Sequence, residues 1–354
     1  MAASIRAGMV ASIFDVPRVS IEQLRERPDL ARQILAAEQS QPIDQVAETG
    51  CDPESGLQAM YRSSAGWLFY DKGIQDTVRL FLPAHPGIDD CWGASLLVDT
   101  RFCAGVMTIW RKYGAGADLL RVTKEAWDSS GHDPHLYDQQ FGTDTDDNER
   151  FYPFVIAQFD TADLDALITD DAQYIGRLFS GDVGGESQSQ LAQFARDNIS
   201  LRERERLYVR WTNGLAIYDR EMADWACAAT RAVQIFEQMV LVRRIFLTLS
   251  ERTDSCFRNL TLFHPWGLVE GNRVLQDYLV ARARFATTPV QSVEAEQLFD
   301  SYSSHFGVPR QLSEAEWRIR LLDQRVQWLK AQWLGLVAVA VFVLNTALAI
   351  FRSH

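Results

Sequence analysis

The longest regular hydrophobic pattern in the chain covers residues 313–351 and predicts a single helix. Ser313 and Glu316 form a capping box, whose side chains satisfy free backbone N–H groups, so we expect the helix to begin near Glu314. Apolar residues then recur at alternating steps of four and three, which keeps one helix face apolar. This seam consists of Ala315, Ile319, Leu322, Val326, Leu329, Trp333, Leu336, Ala340, Val343, Ala347 and Ile350. Because the other positions up to residue 332 are largely charged or polar, residues 313–332 are predicted to form a stalk helix in water.

The second part of this helix, residues 333–351, is predicted to cross a membrane. It contains no charge, and its clearly polar side chains are Asn345 and Thr346. At 1.5 Å per residue it covers most of a bilayer core roughly 30 Å thick. The alternative is a buried core helix, which the position of the stretch at the end of the chain disfavours. The expected interface anchors are Trp328, Lys330, Trp333 and Arg352.

The distribution of basic residues around this span predicts its orientation. Arg318, Arg320, Arg325 and Lys330 precede the span, whereas Arg352 alone follows it. By the positive-inside bias, the N-terminal bulk lies in the cytoplasm and the span in the inner (cytoplasmic) membrane. The first fourteen residues lack the apolar core of a secretory signal, which agrees with this orientation.

Two stripes on the long helix predict contacts with other helices. In the stalk, the seam residues are too apolar to be left bare, so we expect self-association through them; packing against helices of the same chain is the alternative. These stalk residues are Ile319, Leu322, Val326 and Leu329. In the membrane, small residues allow helix backbones to approach closely, and an asparagine seeks a partner helix or water. This second stripe consists of Gly335, Ala338, Asn345 and Ala349.

The first 180 residues show patterns of both helices and strands. Helices are predicted after Ser20, with an interruption at Pro28, over Gly56–Tyr70, and after the cap formed by Thr161 and Asp163. The predicted strands are Thr77–Leu82, Gly93–Val98, Phe102–Trp110 and Phe151–Phe159. Residues 1–180 are therefore expected to form a mixed α/β cytoplasmic domain.

Beyond residue 180 the pattern becomes helical. Residues 181–199 are rich in Gly, Ser, Gln and Asp and are predicted to be a linker. A capping box at Ser200 and Glu203 opens a run of apolar residues at helical spacing that reaches Met239, with a hinge near Gly214. Two more helices are expected over Gly271–Phe285 and Pro289–Phe306. The sequence thus predicts an α+β protein with a helical domain over 200–310, followed by the stalk and the span.

Composition restricts the classes of partner. The 354 residues carry a formal net charge of −12, which argues against nucleic-acid binding because a phosphate-neutralising surface needs an excess of Lys and Arg. The five cysteines are far apart and form no CxxC pair, so we expect reduced thiols and no zinc site.

Motifs of known enzymes do not appear in the sequence. There is no GxSxG, HExxH or Cys/His nucleophile pattern, so we expect a protein that is not an enzyme and has no cofactor. His132 and His135 lie near acidic residues, but Pro134 between them and the lack of a complete calcium loop favour a solvated acidic loop over a metal site. The glycines of residues 181–185 lack the Lys-Ser/Thr of a phosphate loop.

A cluster of arginines gives the one candidate for a small-molecule site. Arg202, Arg206 and Arg210 could bind an anion or nucleotide signal through bidentate guanidinium contacts. The interleaved Glu203 and Glu205 favour a salt-bridged helix face instead.

The order of these parts resembles that of the CorA-type divalent-cation transporters. In both, an α/β cytoplasmic part is followed by a helical part and by a long terminal helix that enters the membrane without a break. That family has two membrane helices joined by a Gly-Met-Asn loop, whereas the one span predicted here ends at Ala349-Ile-Phe351. The resemblance implies a ring-shaped homo-oligomer with a cytoplasmic sensing funnel. We carry over no functional residue, and we expect a membrane effector or transport component, with a passive membrane tether as the alternative.

Overall fold

The computed structural model describes residues 4–16, 18–38, 77–128, 132–141, 151–170, 172–180, 198–200, 202–210, 213–223, 225–261, 265–286 and 293–353. The predicted helix Gly56–Tyr70, almost all of the predicted linker, and most of the acidic run after His135 lie outside these described residues.

The core of the fold is a seven-stranded sheet with the order β2-β3-β4-β1-β5-β7-β6. Its strands are β1 (Ile5–Val16), β2 (Thr77–Pro83), β3 (Cys91–Asp99), β4 (Ala104–Tyr113), β5 (Phe151–Phe159), β6 (Glu205–Val209) and β7 (Gly214–Tyr218). Neighbouring strands are antiparallel except β5 and β7, which are parallel. The strands predicted in residues 77–159 are confirmed, with ends that coincide or differ by at most three residues.

Strand β1 lies at the centre of the sheet, although the sequence pattern did not predict it as a strand. It pairs with β4 on one side and β5 on the other, so that Ile13 lies opposite both Thr108 and Tyr152. Val10 to Val16 are all buried. A strand that is covered on both faces shows no alternation of apolar and polar residues, which is the signal by which a half-exposed strand is found.

Six short helices cover one face of the sheet. They are α1 (Ile21–Glu26), α2 (Pro28–Glu38), α3 (Leu119–Asp128), α4 (Asp133–Phe141), α5 (Leu164–Asp170) and α6 (Ala172–Ser180). The side chain of Ser20 caps α1 by accepting the backbone N–H of Gln23, and Asp163 caps α5 by accepting that of Ala166. Both caps were predicted from the sequence. The apolar core under these helices uses alternate strand residues such as Val10, Phe14 and Val155.

The other face of the sheet is packed by α7 (Trp225–Asn259) and α9 (Val293–His305). Phe236 of α7 lies against the rings of Phe154 and Tyr302, with ring centroids 5.3 and 6.3 Å apart. This face also buries charge. Arg79 and Glu237 form a fully buried ion pair of 2.7 Å, and the Thr108 hydroxyl donates a hydrogen bond to the Glu237 carboxylate.

The long helix predicted from Ser200 onward is wrong in its first part, and the helical domain over 200–310 begins with strands. Residues 205–209 and 214–218 form the hairpin β6–β7, which completes the sheet. Gly214 is not a helix hinge but a close contact between strands, because a Cβ atom there would collide with the ring of Phe154. Helix α7 begins at Trp225.

The chain divides into two compact units. Unit 1 consists of residues 1–244 and 288–308, and unit 2 of residues 245–287 and 309–354. The boundaries fall inside α7 and at the start of the last helix, α10 (Val308–Ser353). Unit 2 therefore contains the second part of α7, all of α8 (Pro265–Ala286) and nearly all of α10.

A prediction follows from the buried ion pair of unit 1. Glu237→Ala leaves the Arg79 guanidinium buried without its carboxylate, and we expect it to lower the free energy of unfolding by about 3–5 kcal/mol. The measurement is urea unfolding of the full chain in mild detergent, followed by hydrogen exchange of the β4 peptides.

Two controls accompany this variant. Glu125→Ala removes the exposed ion pair between Arg121 and Glu125, 2.8 Å, and should change the free energy by less than about 0.5 kcal/mol. Arg79→Met with Glu237→Leu removes both charges and should recover most of the loss. Equal effects of Glu237→Ala and Glu125→Ala would contradict the buried pairing.

Candidate functional site

The candidate site is α10, which runs as one helix from Val308 to Ser353. Its predicted start near Glu314 is wrong by six residues. Gly307, with a φ of 65°, ends the preceding segment, and Pro309 occupies the first turn of α10, where a missing N–H costs nothing. The Ser313 hydroxyl donates to the Pro309 carbonyl, 2.9 Å away, instead of capping a helix.

The last part of α10 is long and apolar enough to cross a membrane, and its most apolar stretch is not buried within the chain. Between Leu334 and Phe351, eleven large apolar side chains are 47–82% exposed. Covering such side chains stabilises by about 1.5–3 kcal/mol each when burial is complete, so half-covering all of them is worth about 8–16 kcal/mol. This equals the net stability of a typical domain, which argues that water is not the medium around this segment.

The predicted interface anchors lie where α10 leaves the bundle of unit 2. Trp328 is 50% exposed and carries the Arg325 guanidinium over its ring, 5.1 Å from the centroid. The Lys330 ammonium donates to the Asn272 side-chain oxygen of α8, 3.1 Å away. Trp333 is half-buried, and Arg352 is exposed at the other end of the span. These positions suit the two ends of a membrane segment.

The apolar seam of the stalk is buried within the single chain. Ile319, Leu322, Val326 and Leu329 are all buried. In α8, Gly271 lies so close to Val326 that an added Cβ atom would be 2.9 Å from its Cγ2 atom. At these four residues, α10 therefore packs within its own chain, which was the predicted alternative to self-association.

Polar contacts on both sides of this seam fix α10 against its neighbours in unit 2. Arg318 pairs with Asp254 of α7, 3.1 Å away, and Glu316 with Arg282 of α8, 3.5 Å away. The exposed charges add little stability, so the apolar seam between them holds the three helices together.

The opposite face of α10 is exposed along its full length. In the stalk it presents Trp317 (62% exposed), Leu321 and Trp328. In the span it presents the stripe of Gly335, Ala338, Asn345 and Ala349, of which each member is exposed. A Cβ atom at Gly335 would meet nothing within 4 Å. The stripe is therefore available to a further helix.

The two polar residues of the span differ in their hydrogen bonding. The Thr346 hydroxyl donates to the Phe342 carbonyl of its own helix, 2.9 Å away, so its polarity is already satisfied. Asn345 has no side-chain hydrogen bond within the part of the chain that the structure describes. In lipid, an amide of this kind is stabilised by a partner helix or by water.

The arginines proposed as an anion site do not share a helix face. Arg206 lies on β6 and is paired with Asp165, 2.7 Å away, while it also donates to the carbonyls of Glu203 and Glu205. Arg210 lies over the ring of Phe179, 5.2 Å from its centroid, and Arg202 lies in the turn before β6. The helix that would have aligned these residues is absent at these positions, because they belong to a hairpin.

The region of His132 and His135 is partly a helix. Asp133 is buried and forms an ion pair with Arg111, which also donates to the Ser12 hydroxyl, 2.8 Å away. His135 contacts Asp138 at 3.0 Å on the surface of α4. Among the described residues, no group of three or more His, Cys, Asp and Glu side chains could hold a metal ion.

Sequence reasoning missed a buried carboxylate and two tyrosines in unit 1. Burial raises the pKa of Tyr218 well above its usual range, and the nearby Glu205 carboxylate raises it further. Burial also raises the pKa of Tyr302, again with a contribution from Glu205. Because β6 and β7 were predicted to be helical, these three residues could not be placed together from the sequence.

No protein-family model, no curated protein and no solved structure matches this chain. The likeness in layout to the CorA-type transporters is therefore not supported by a measured similarity.

The stability of unit 2 should depend on the buried face of α10 and not on the exposed one. Leu322→Ala, at a residue that is 0% exposed, is expected to lower the free energy of unfolding by about 2–5 kcal/mol. Leu321→Ala, at the adjacent residue that is 37% exposed, is the matched control and should cost less than about 1 kcal/mol. Hydrogen exchange of α8 peptides measures both, and equal costs would count against the burial of the seam.

The buried tyrosines predict a loss of stability at high pH. In the folded chain Tyr218 and Tyr302 stay protonated, whereas in the unfolded chain they ionise near pH 10. Their contribution is therefore complete below pH 10 and is lost as the pH rises above it. Unfolding midpoints measured from pH 8 to 11 should fall above about pH 10, and Tyr218→Phe with Tyr302→Phe should make that fall shallower. An unchanged slope in the double variant would contradict the assignment.

Proposed function

We propose that this chain is a single-pass membrane protein whose span is the C-terminal part of α10. The observation that carries the proposal is the exposed apolar surface between Leu334 and Phe351, which is too large to remain in water. The excess of basic residues before the span supports a cytoplasmic N-terminal bulk and insertion in the inner (cytoplasmic) membrane.

For a chain anchored in this way, we propose that the protein acts as an oligomeric membrane effector or CorA-like channel component. A plain anchor needs neither a stripe of small residues nor an asparagine in its span, and both are present on the exposed face of α10. Small residues and an unbonded amide favour contact between membrane helices, so they support a bundle that can rearrange.

Helix α7 offers a route by which unit 1 can influence unit 2. It is one helix of 35 residues, and its division between the units falls after Arg244. Its first part carries Glu237, which is bonded to the sheet, and its second part carries Asp254, which is bonded to α10. In this proposal, a signal bound by the α/β part shifts α7 and thereby the packing of α10.

The signal has one candidate site in the sequence. Arg202, Arg206 and Arg210 could bind a small anion or nucleotide, although the sequence favoured a salt-bridged face there, and Arg206 is paired with Asp165. Mass spectrometry of molecules that copurify with the full chain, together with turnover assays, tests the signal and also tests the competing class of a membrane-bound enzyme.

The alternative function is a passive tether that holds a cytoplasmic protein-interaction domain at the membrane. It requires the same span but predicts that any hydrophobic helix would serve. Membrane anchoring alone does not separate the two functions, so the two tests below address them in turn.

The first test concerns anchoring. A chain that ends at residue 332 should leave the membrane fraction and be recovered in soluble form, because the exposed apolar surface is gone. The full chain should remain in the pellet after a carbonate wash. Recovery of the shortened chain in the washed pellet would overturn the proposed anchor.

The second test separates the effector from the tether. Asn345→Leu, and separately replacement of residues 333–351 by an unrelated hydrophobic span, should reduce ion flux from loaded liposomes or growth arrest on overexpression if the chain is an effector. Thr346→Val is the matched control, because Thr346 bonds only to its own helix at Phe342. If both changes leave flux, growth arrest and oligomer size as in the parent chain, the effector proposal fails and the tether stands.

A further inference from the structure

The exposed face of α10 carries large apolar side chains in the part that lies outside the membrane. Trp317 is 62% exposed, Leu321 37% and Trp328 50%. They follow the same alternating steps of four and three that continue into the span through Gly335, Ala338 and Asn345. One unbroken stripe therefore passes from water into lipid along a single helix.

The rest of unit 2 does not cover this stripe. At about 100° per residue, its stalk residues project about 120–160° away from the mean direction of Ile319, Leu322, Val326 and Leu329. That buried seam faces α7 and α8, as the contacts of Arg318 with Asp254 and of Lys330 with Asn272 require. The stripe thus lies on the side of α10 that turns away from the bundle.

Lipid explains only the end of the stripe nearest the span. Trp317 precedes Trp333 by sixteen residues, which is about 24 Å along a helix. The polar headgroup layer is about 5–8 Å thick on each side of the hydrocarbon core, so Trp317 and Leu321 lie beyond it. Lipid therefore does not cover Trp317 and Leu321.

We propose that the exposed stripe of α10 binds the same stripe of a second copy of this chain, as a parallel helix pair. The inference rests on the membrane anchoring proposed above, because two copies in one membrane enter it in the same direction. In a parallel pair each residue of the stripe meets its own counterpart, in water and in lipid alike, without a change of register. A different protein would need one surface that fits the stripe in water and another that fits it in lipid.

Two features of the stripe suit self-pairing. The amide of Asn345 has both donors and an acceptor, so two copies can bond to each other, as an asparagine in a helix seam does when it fixes register. Gly335 and Ala338 allow the two backbones to approach at the membrane surface. Beside the stripe, Arg318 and Arg320 are paired with Glu314 and Glu316 of their own chain, which reduces repulsion between copies.

The experiment is disulfide cross-linking of the full chain in native membranes. Gln324→Cys and Ala331→Cys place a thiol on the stripe, at exposed positions between its large residues. Under mild oxidation each should convert the chain into a covalent product of twice its mass. Asp323→Cys is the matched control, because it is exposed on the same helix but points about 100° away from the stripe. The unsubstituted chain sets the background from the five native cysteines.

A second variant tests the interface without a cross-link. Trp317→Glu with Leu321→Glu changes exposed residues, so unit 2 should stay folded while the doubled mass in detergent falls to that of one chain. The same pair combined with Ala331→Cys should lose its cross-linked product.

The outcomes separate this inference from the proposed anchoring. Equal cross-linking at residues 323, 324 and 331, or none at any of them in a membrane-bound chain, overturns the self-pairing while anchoring stands. A product whose mass is not twice that of the chain assigns the stripe to another protein and also overturns it. If the chain does not pellet with membranes, the anchoring fails and the pairing falls with it.

Discussion

The cost of leaving apolar surface in water is the constraint on which the C-terminal part of this protein depends. Helix α10 has apolar residues on more than one face, and a single neighbour cannot cover them all. In the stalk, α7 and α8 cover the face of Leu322 and Val326, so this apolar surface is buried within one chain. From Leu334 onward the large apolar side chains of α10 are exposed, and this surface is long and apolar enough to cross a bilayer. The surroundings of one helix thus change along its length.

Much of the fold could be predicted where the signal is local. The caps at Ser20 and Asp163 act on the next few residues, and the strands β2 to β5 are short apolar runs bounded by turns. The long apolar helix that could cross a membrane was equally predictable, because charge-free length is a property of the sequence itself. The seam of α10 was also located, but a heptad pattern reports that a face is buried and not which helix buries it. For that reason the sequence did not show whether Ile319 and Val326 pack against a second copy or against α7 and α8 of the same chain.

The failures arose where burial removed the pattern. In β6 and β7, Tyr208, Leu215 and Tyr218 happen to follow a three-four spacing, and because both faces of these strands are buried, alternation did not contradict it. Asn213 followed by Gly214, at the start of β7, is a signal against an uninterrupted helix at this point. Arg202, Arg206 and Arg210 do not share a helix face for the same reason, since Arg206 lies on β6. The predicted start of α10 near Glu314 did not take account of Pro309, although proline in a first turn is favourable.

The buried charges under α7 add little stability but do determine its position. Removing two charges from water costs several kcal/mol, and an ion pair recovers this only with good geometry. Arg79 of β2 and Thr108 of β4 both reach the Glu237 carboxylate. Moving α7 by one turn, about 5.4 Å, would leave these groups buried without partners. A purely apolar contact would tolerate the same one-turn shift of α7 at a lower cost in free energy. The sheet therefore selects one register of the first part of α7.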